Sequence, residues 1–250
     1  MKTNLKDQPL KTAKPESQAP DQVRSISPVS IEQAIKNSDR KIYTVVITGG
    51  PCAGKTTALS SLRKKLSEEG FHVIELAETA TSILNANIHP WESPAFQKAV
   101  FSIQKCWEDT MIDQAGYIEN PKCILLCDRG LMDGKAYCSG NDFEKIAAEF
   151  SLDEKSILRR YDQIIHLVSA ANGAEKYYSA DTNGERMENL QEARIIEERT
   201  RKAWSNHPNR VIIDNSTGME EKVEQAWQAL KTGLTKSGLL HSSDSPSARE

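Results

Sequence analysis

The stretch Ile42–Thr57, IYTVVITGGPCAGKTT, decides the fold of this chain. Ile42–Thr48 is β-branched and apolar and runs into a glycine cluster, the pattern of a strand buried on both faces. Gly49-Gly50-Pro51-Cys52-Ala53-Gly54-Lys55-Thr56 is then a complete GxxxxGK[ST] element. A helical pattern follows at once: Thr56–Glu69 sets Leu59, Leu62 and Leu66 on one face, and Gly70 stops it. Strand, glycine-rich turn and helix stand in the order a phosphate-binding loop requires. The glycines let the backbone wrap a polyphosphate, so that successive N–H groups and the helix N-terminus face the anion. Lys55 is expected to reach the β- and γ-phosphates of a nucleoside triphosphate, and the Thr56 hydroxyl to ligate Mg²⁺. Gly49 to Thr57 is thus the expected nucleotide-binding segment. Cys52 within it reads either as a small residue the turn needs or as a thiol activated by the helix N-terminus.

Outward from this unit the alternation repeats. Phe71–Leu76, Cys123–Cys127, Gln163–Ser169 and Arg210–Ile213 read as further short apolar strands. Between them, Pro94–Ile118 keeps Phe96, Ala99, Val100, Ile103, Trp107, Met111 and Ala115 at helical spacing. Asp142–Phe150, Leu152–Arg160, Gln191–Trp204 and Met219–Leu234 read as the remaining helices. Five strands separated by helices predict an α/β fold: a P-loop three-layer α/β/α sandwich around a five-stranded parallel sheet. Right-handed crossovers then gather the strand C-termini along one edge, where the binding crevice forms. No internal repeat is present. Residues 1–40 are polar and read as a largely disordered tail, with a short helix at Ser30–Asp39. Ser237–Glu250 reads as a second tail, leaving 41–236 as one domain.

Composition narrows the function. Thirty-two basic against 35 acidic residues leave a net charge of −3, too balanced for a nucleic acid polymer or an anionic membrane as partner. No apolar run approaches the ~18 residues of a transmembrane helix, and the N-terminus lacks a secretory apolar segment. Five cysteines without metal-ligand spacing read as reduced thiols of a cytoplasmic protein. The mean hydropathy of −0.55 is low for an enzyme core and is attributed to the two tails and a charged helix.

The acid–base candidates stand where strands end. Asp128 closes the CILLC strand, a position from which a carboxylate holds the water shell of Mg²⁺. Arg129 follows directly and can bring a cation to the same phosphates or to an acceptor; a capping role for Asp128 is the alternative. Glu75 and Glu78 lie at the end of the second strand. Alternation turns Glu75 outward, so Glu78 is the candidate base. The polar segment Ala171–Leu190 carries Lys176 and Arg186, with Arg194 just beyond it. A lid whose arginines, Arg186 and Arg194, neutralise a transferring phosphoryl group is one reading. A solvated helix with i,i+4 pairs is the other. Asp214-Asn215-Ser216-Thr217 ends the fifth strand and reads as a helix cap, or as contacts from Asn215, Ser216 and Thr217 to a nucleotide base.

Three segments, GGPCAGKTT, CDRGLMDGKAY and YDQIIHLVSAANGAEKYY…WSNHPNRVIIDNST, together resemble one family. It is the P-loop domain family shared by NadR-type nicotinamide riboside kinases and the TRPL translocation defect proteins of animals. The resemblance covers about Lys41 to Leu234. It implies a nucleoside-kinase-like P-loop sheet, an AAA/ATPase domain with strand order 2-3-1-4-5. Gly49 to Thr57 match the phosphate loop, Asp128-Arg129 match the Asp/Glu-Arg motif of nucleoside kinases, and Glu78 falls at the base position. On this reading the 250 residues leave no room for the additional C-terminal domain of the animal proteins, and the nucleotidyltransferase and DNA-binding parts of NadR-like proteins are not expected among them.

Residues and resemblance together lead to an ATP- and Mg²⁺-dependent phosphotransferase acting on a small hydroxyl-bearing acceptor such as a nucleoside. The alternative is an ATP- or GTP-binding regulatory switch or scaffold with slow hydrolysis. The guanine-reading NKxD signature is missing after the fourth strand, where Ser169-Ala170-Ala171-Asn172 stands.

Overall fold

The computed structural model describes residues 42–86, 93–178 and 189–240. At its centre lies β1 (Tyr43–Thr48), buried at every position as its unbroken apolar sequence requires. β3 (Cys123–Asp128) pairs on one side of it and β4 (Gln163–Leu167) on the other, both parallel. β2 (His72–Leu76) and β5 (Arg210–Ile213) form the parallel edges, giving the five-stranded order β2-β3-β1-β4-β5. The sheet and its order are those expected.

Strand alternation divides the core between two helical layers. Val45, Ile47, Ile124, Leu126, Ile165 and Leu167 face α1 (Lys55–Glu68) and α7 (Met219–Lys236), packing on Leu62, Leu66, Trp227 and Leu230. Val46, Leu125, Cys127 and Ile164 face the other way, toward Phe101, Phe143, Ile157 and Trp204. Those side chains come from α3 (Pro94–Ala115), α4 (Asp142–Glu149), α5 (Glu154–Leu158) and the C-cap of α6 (Leu190–Ala203). Strand order reverses beside β1, so the crevice opens above the C-terminal ends of β1, β3 and β4.

Several elements differ from expectation. A short helix α2 (Thr79–Asn85) follows β2 directly, and a 3₁₀ segment occupies Leu131–Ala136. The helix expected over Leu152–Arg160 shrinks to α5 because Asp153 caps it, its carboxylate accepting from Ser156 N at 2.7 Å. α3 starts as expected at Pro94, capped by Ser93, but buries Gln97, Gln104 and Glu108 along with Phe96 and Phe101. Its apolar stripe is only half the buried face. Residues 237–240 are not a tail: Leu239 N and Leu240 N donate to Leu234 O at 3.0 and 3.2 Å, and Leu240 is buried in the α1–α7 core. The short helix expected at Ser30–Asp39 and the rest of 1–40 lie outside the described residues. None of the five cysteines, all among the described residues, is in a disulfide. Among the described residues, no helix is long and apolar enough to cross a membrane.

Candidate functional site

The phosphate loop is pinned at its front half. Gly49 has φ 142°, and a side chain there would collide with Leu167 O, so only glycine fits. Arg129 Nη1 donates to Gly49 O at 3.1 Å, and Gly50 N donates to Glu197 Oε2 at 2.8 Å. Ser169 Oγ donates to Pro51 O, and Ala170 N to Cys52 O at 3.2 Å. Beyond this clamp α1 begins at Lys55 with Gly54 as a cap that has no side chain, and no acid lies in its first turn. No side chain caps this helix start, which is the arrangement that leaves a helix N-terminus open to an anion. Lys55 is buried and turns back on the loop, Nζ lying 3.5 Å from Gly49 O. Thr56 and Thr57 are exposed in the first turn.

A charged cluster faces this loop. Asp128, the last residue of β3, is pushed above the usual carboxylate range by burial, which Lys55 and Arg129 oppose and Glu78 and Asp133 reinforce. Its Oδ1 is buried without a hydrogen-bond partner. Arg129 adopts φ 69°, a left-handed turn that costs a non-glycine residue about 1–2 kcal/mol. The turn lets its N–H reach Ile47 O at 3.1 Å while its side chain sinks between carboxylates. Nε donates to Glu78 Oε1 at 2.5 Å and Nη1 to Asp133 Oδ1 at 3.3 Å. Bonded as well to Gly49 O, Arg129 braces the loop from below. Glu78 stands at the N-cap of α2, where its Oε2 also accepts from Thr81 Oγ1 at 2.9 Å. Glu75 turns outward, as alternation predicts, and lies 3.5 Å from Arg63.

The remaining candidates scatter. Arg186 lies outside the described residues. Arg194 projects from α6, half-exposed, donating to Ala171 O at 2.7 Å and to Glu175 Oε1 at 2.8 Å. Lys176 is exposed on the 3₁₀ segment Glu175–Tyr177. The Asn215 amide is committed to structure: Nδ2 donates to Ser169 O and Asn172 O at 2.8 and 2.7 Å, and Oδ1 accepts from Lys222 Nζ at 2.7 Å. Ser216 closes an Asx-type turn on Asp214, its N–H and hydroxyl donating to Oδ1 at 2.9 and 2.5 Å. Neither caps α7, whose N-cap is Gly218 with no side-chain bond. Thr217 is exposed between them.

With this geometry in place, comparison with known proteins is informative. Residues 44–222 match the model of the AAA domain family. The chain belongs to that family. Among solved structures, this AAA domain is similar to the NadR protein in complex with NR, at 15% identity and a TM-score of 0.56. The match covers 80% of this chain and 51% of that one, so the domain spans about half of the NadR chain. At that identity the likeness establishes the fold, a NadR-like P-loop sheet. No curated protein matches the chain.

The AAA domain also uses residues that sequence reasoning passed over. Glu197 sits amid Ala193, Ile196, Thr200 and Ala203, on the buried face of a helix otherwise read as solvated. A carboxylate at i+4 from Ala193 inside that small-residue stripe was the available signal. Asp133 collects Thr48 Oγ1, Gly130 N and Trp204 Nε1 at 2.5, 2.9 and 3.1 Å. Met219, 38% exposed, lays its thioether against Gly54 beside the crevice. Among the described residues, no group of three or more His, Cys, Asp or Glu could by itself hold a metal ion. A cation here would take most of its ligands from phosphate and water, as Mg²⁺ does. The buried unpaired Asp128 Oδ1 fits such an ion or its water shell.

Proposed function

We propose that this domain is an Mg²⁺- and ATP-dependent phosphotransferase acting on the hydroxyl of a small acceptor, of nucleoside type. The observation that carries this reading is the Lys55–Asp128–Glu78–Arg129 cluster at the strand ends, facing an anion-binding helix start. A nucleoside triphosphate lying on α1 would place its terminal phosphate beside Lys55. Glu78, held in one orientation by Arg129 and Thr81, accepts the proton of the acceptor hydroxyl. The hydroxyl oxygen bonds to the γ-phosphorus as the bond to the ADP oxygen breaks, and Lys55 offsets the charge that gathers there. Thr56 and Asp128 would hold the cation, which when bound neutralises charge on the β- and γ-phosphates. The likeness to a NadR protein holding NR supports an acceptor of that class. The acceptor would lie against α3 and the Asp128–Tyr137 segment.

ADP production over a panel of nucleosides and small alcohols tests this reading. At least one acceptor is expected to exceed the no-acceptor rate, and Glu78→Gln to lower kcat by roughly 10²- to 10⁴-fold. If Mg·ATP binds while no acceptor stimulates turnover, the kinase reading falls to a nucleotide-binding switch or scaffold. Competing ATP against GTP in thermal shift assigns the base, since bound ligand stabilises by mass action.

A further inference from the structure

Glu197 is 1% exposed, in the middle of α6, and its carboxylate bonds to groups outside its own helix. A carboxylate taken out of water needs donors, and this one has them from other elements. Oε2 accepts from Gly50 N at 2.8 Å and from Ser169 N at 3.2 Å. Oε1 lies 2.7 Å from Nε2 of His166, which is fully buried on β4. Since an ionised carboxylate only accepts, Nε2 carries the proton. Burial pushes the Glu197 carboxyl up, but the bonds from His166, Gly50 and Ser169 outweigh it and hold the group below the usual carboxylate range.

The contact is close as well as polar. A Cβ on Gly50 would lie 2.8 Å from Glu197 Oε2 and 3.0 and 3.1 Å from its Cβ and Cα. The backbone of α6 therefore abuts the phosphate loop. The segment that Glu197 grips on β4's far side is also the one that holds the loop: Ser169 Oγ binds Pro51 O, and Ala170 N binds Cys52 O. One carboxylate thus ties the loop, the end of β4 and α6 together. Gly49 O and Gly50 N–H belong to one peptide unit, so Arg129 and Glu197 together fix the peptide plane that enters the loop.

We propose that Glu197 is a positioning residue that holds the phosphate loop in its anion-cradling shape and couples phosphate binding to the packing of α6. The coupling rests on the nucleotide reading above; the brace itself does not. Amide hydrogen exchange on the full chain, with Mg·ATP as probe, tests both. In Glu197→Ala without ligand, exchange over residues 49–57 is expected to quicken about tenfold, while α7 is unchanged. Glu197→Gln, which keeps one acceptor oxygen, should recover part of that protection. In the wild type Mg·ATP should slow exchange in both the loop and α6. In Glu197→Ala it should slow only the loop, with Kd raised about tenfold. Unchanged loop exchange in Glu197→Ala overturns the brace, as does an acceleration shared equally by α7. Loop protection by Mg·ATP without any response of wild-type α6 overturns the coupling. If the wild type ignores Mg·ATP yet both variants loosen the loop, the nucleotide reading fails and the brace stands.

Discussion

At the scale of single residues, Asp128 faces opposed demands. Burial and the neighbouring carboxylates of Glu78 and Asp133 raise its pKa, although Lys55 and Arg129 pull the other way. To hold a cation or its waters the carboxyl must be ionised. Because its pKa lies above the usual range, it takes up a proton earlier than an ordinary aspartate as pH falls. Asp128→Asn is therefore expected to weaken Mg·ATP binding roughly 10- to 100-fold at neutral pH. The gap between wild type and variant should close as the pH drops into the mildly acidic range. Calorimetric titration of both proteins over that range checks this, and a gap independent of pH would remove Asp128 from the metal's shell. The position of this residue was legible because a strand's end is readable from its apolar run. The use of Arg129 was not: a local sequence does not say that a guanidinium turns inward to Gly49 O instead of outward to a ligand. Asn215 illustrates the same limit, its amide claimed by Ser169 and Asn172 from distant segments.

At the scale of elements, α3 shows why polar residues mislead a search for periodicity. Apolar spacing selects Phe96 and Ala115, which are buried, and Ile103, Trp107 and Met111, which are only partly so, while Phe101, Gln104 and Glu108 are buried outside that selection. The polar side chains turn in because other elements supply partners for them. Gln104 Nε2 donates to Glu108 Oε1 at 2.9 Å and to Arg129 O at 3.4 Å, carrying the network toward the phosphate loop. Arg160 reaches Glu108 Oε2 through Nε and Nη2 at 3.1 and 2.9 Å. Tyr161 OH donates to Glu108 Oε1 at 2.9 Å and accepts from Leu131 N at 2.8 Å. Burial pushes the Glu108 carboxyl up, and Arg160, Gln104 and Tyr161 counter it only in part. Tyr161→Phe keeps the ring against Trp204 but strands a buried backbone N–H and removes a donor from Glu108. A loss of about 1–3 kcal/mol in urea-unfolding stability is expected. A change within about 0.5 kcal/mol would place Tyr161 outside the network's energetics.

At the scale of the whole molecule, the sheet was readable because each strand is a short apolar run bounded by helices, and the glycine loop fixed which strand comes first. The packing of residues 237–240 was not readable, since a Ser-rich composition says nothing of a single leucine with a place to go. α7 ends at Lys236, with Ser237 as its C-cap, and Gly238 at φ 77° turns the chain back across the helix. That turn brings the Leu239 and Leu240 amides onto Leu234 O and seats Leu240, 9% exposed, among the α1–α7 core residues. Burying a leucine of this kind contributes about 1.5–3 kcal/mol. We therefore count residues 237–240 in the folded domain and expect the chain ended at residue 240 to keep this cap. The same chain ended at residue 236 should lose about 2–3 kcal/mol and melt several degrees lower. Leu240→Ala in the longer form should reproduce most of that loss, because it removes the buried side chain and keeps the turn. Thermal unfolding of the three proteins decides the matter. Equal melting temperatures for the 236 and 240 endings would mean that α7 holds its register without this cap.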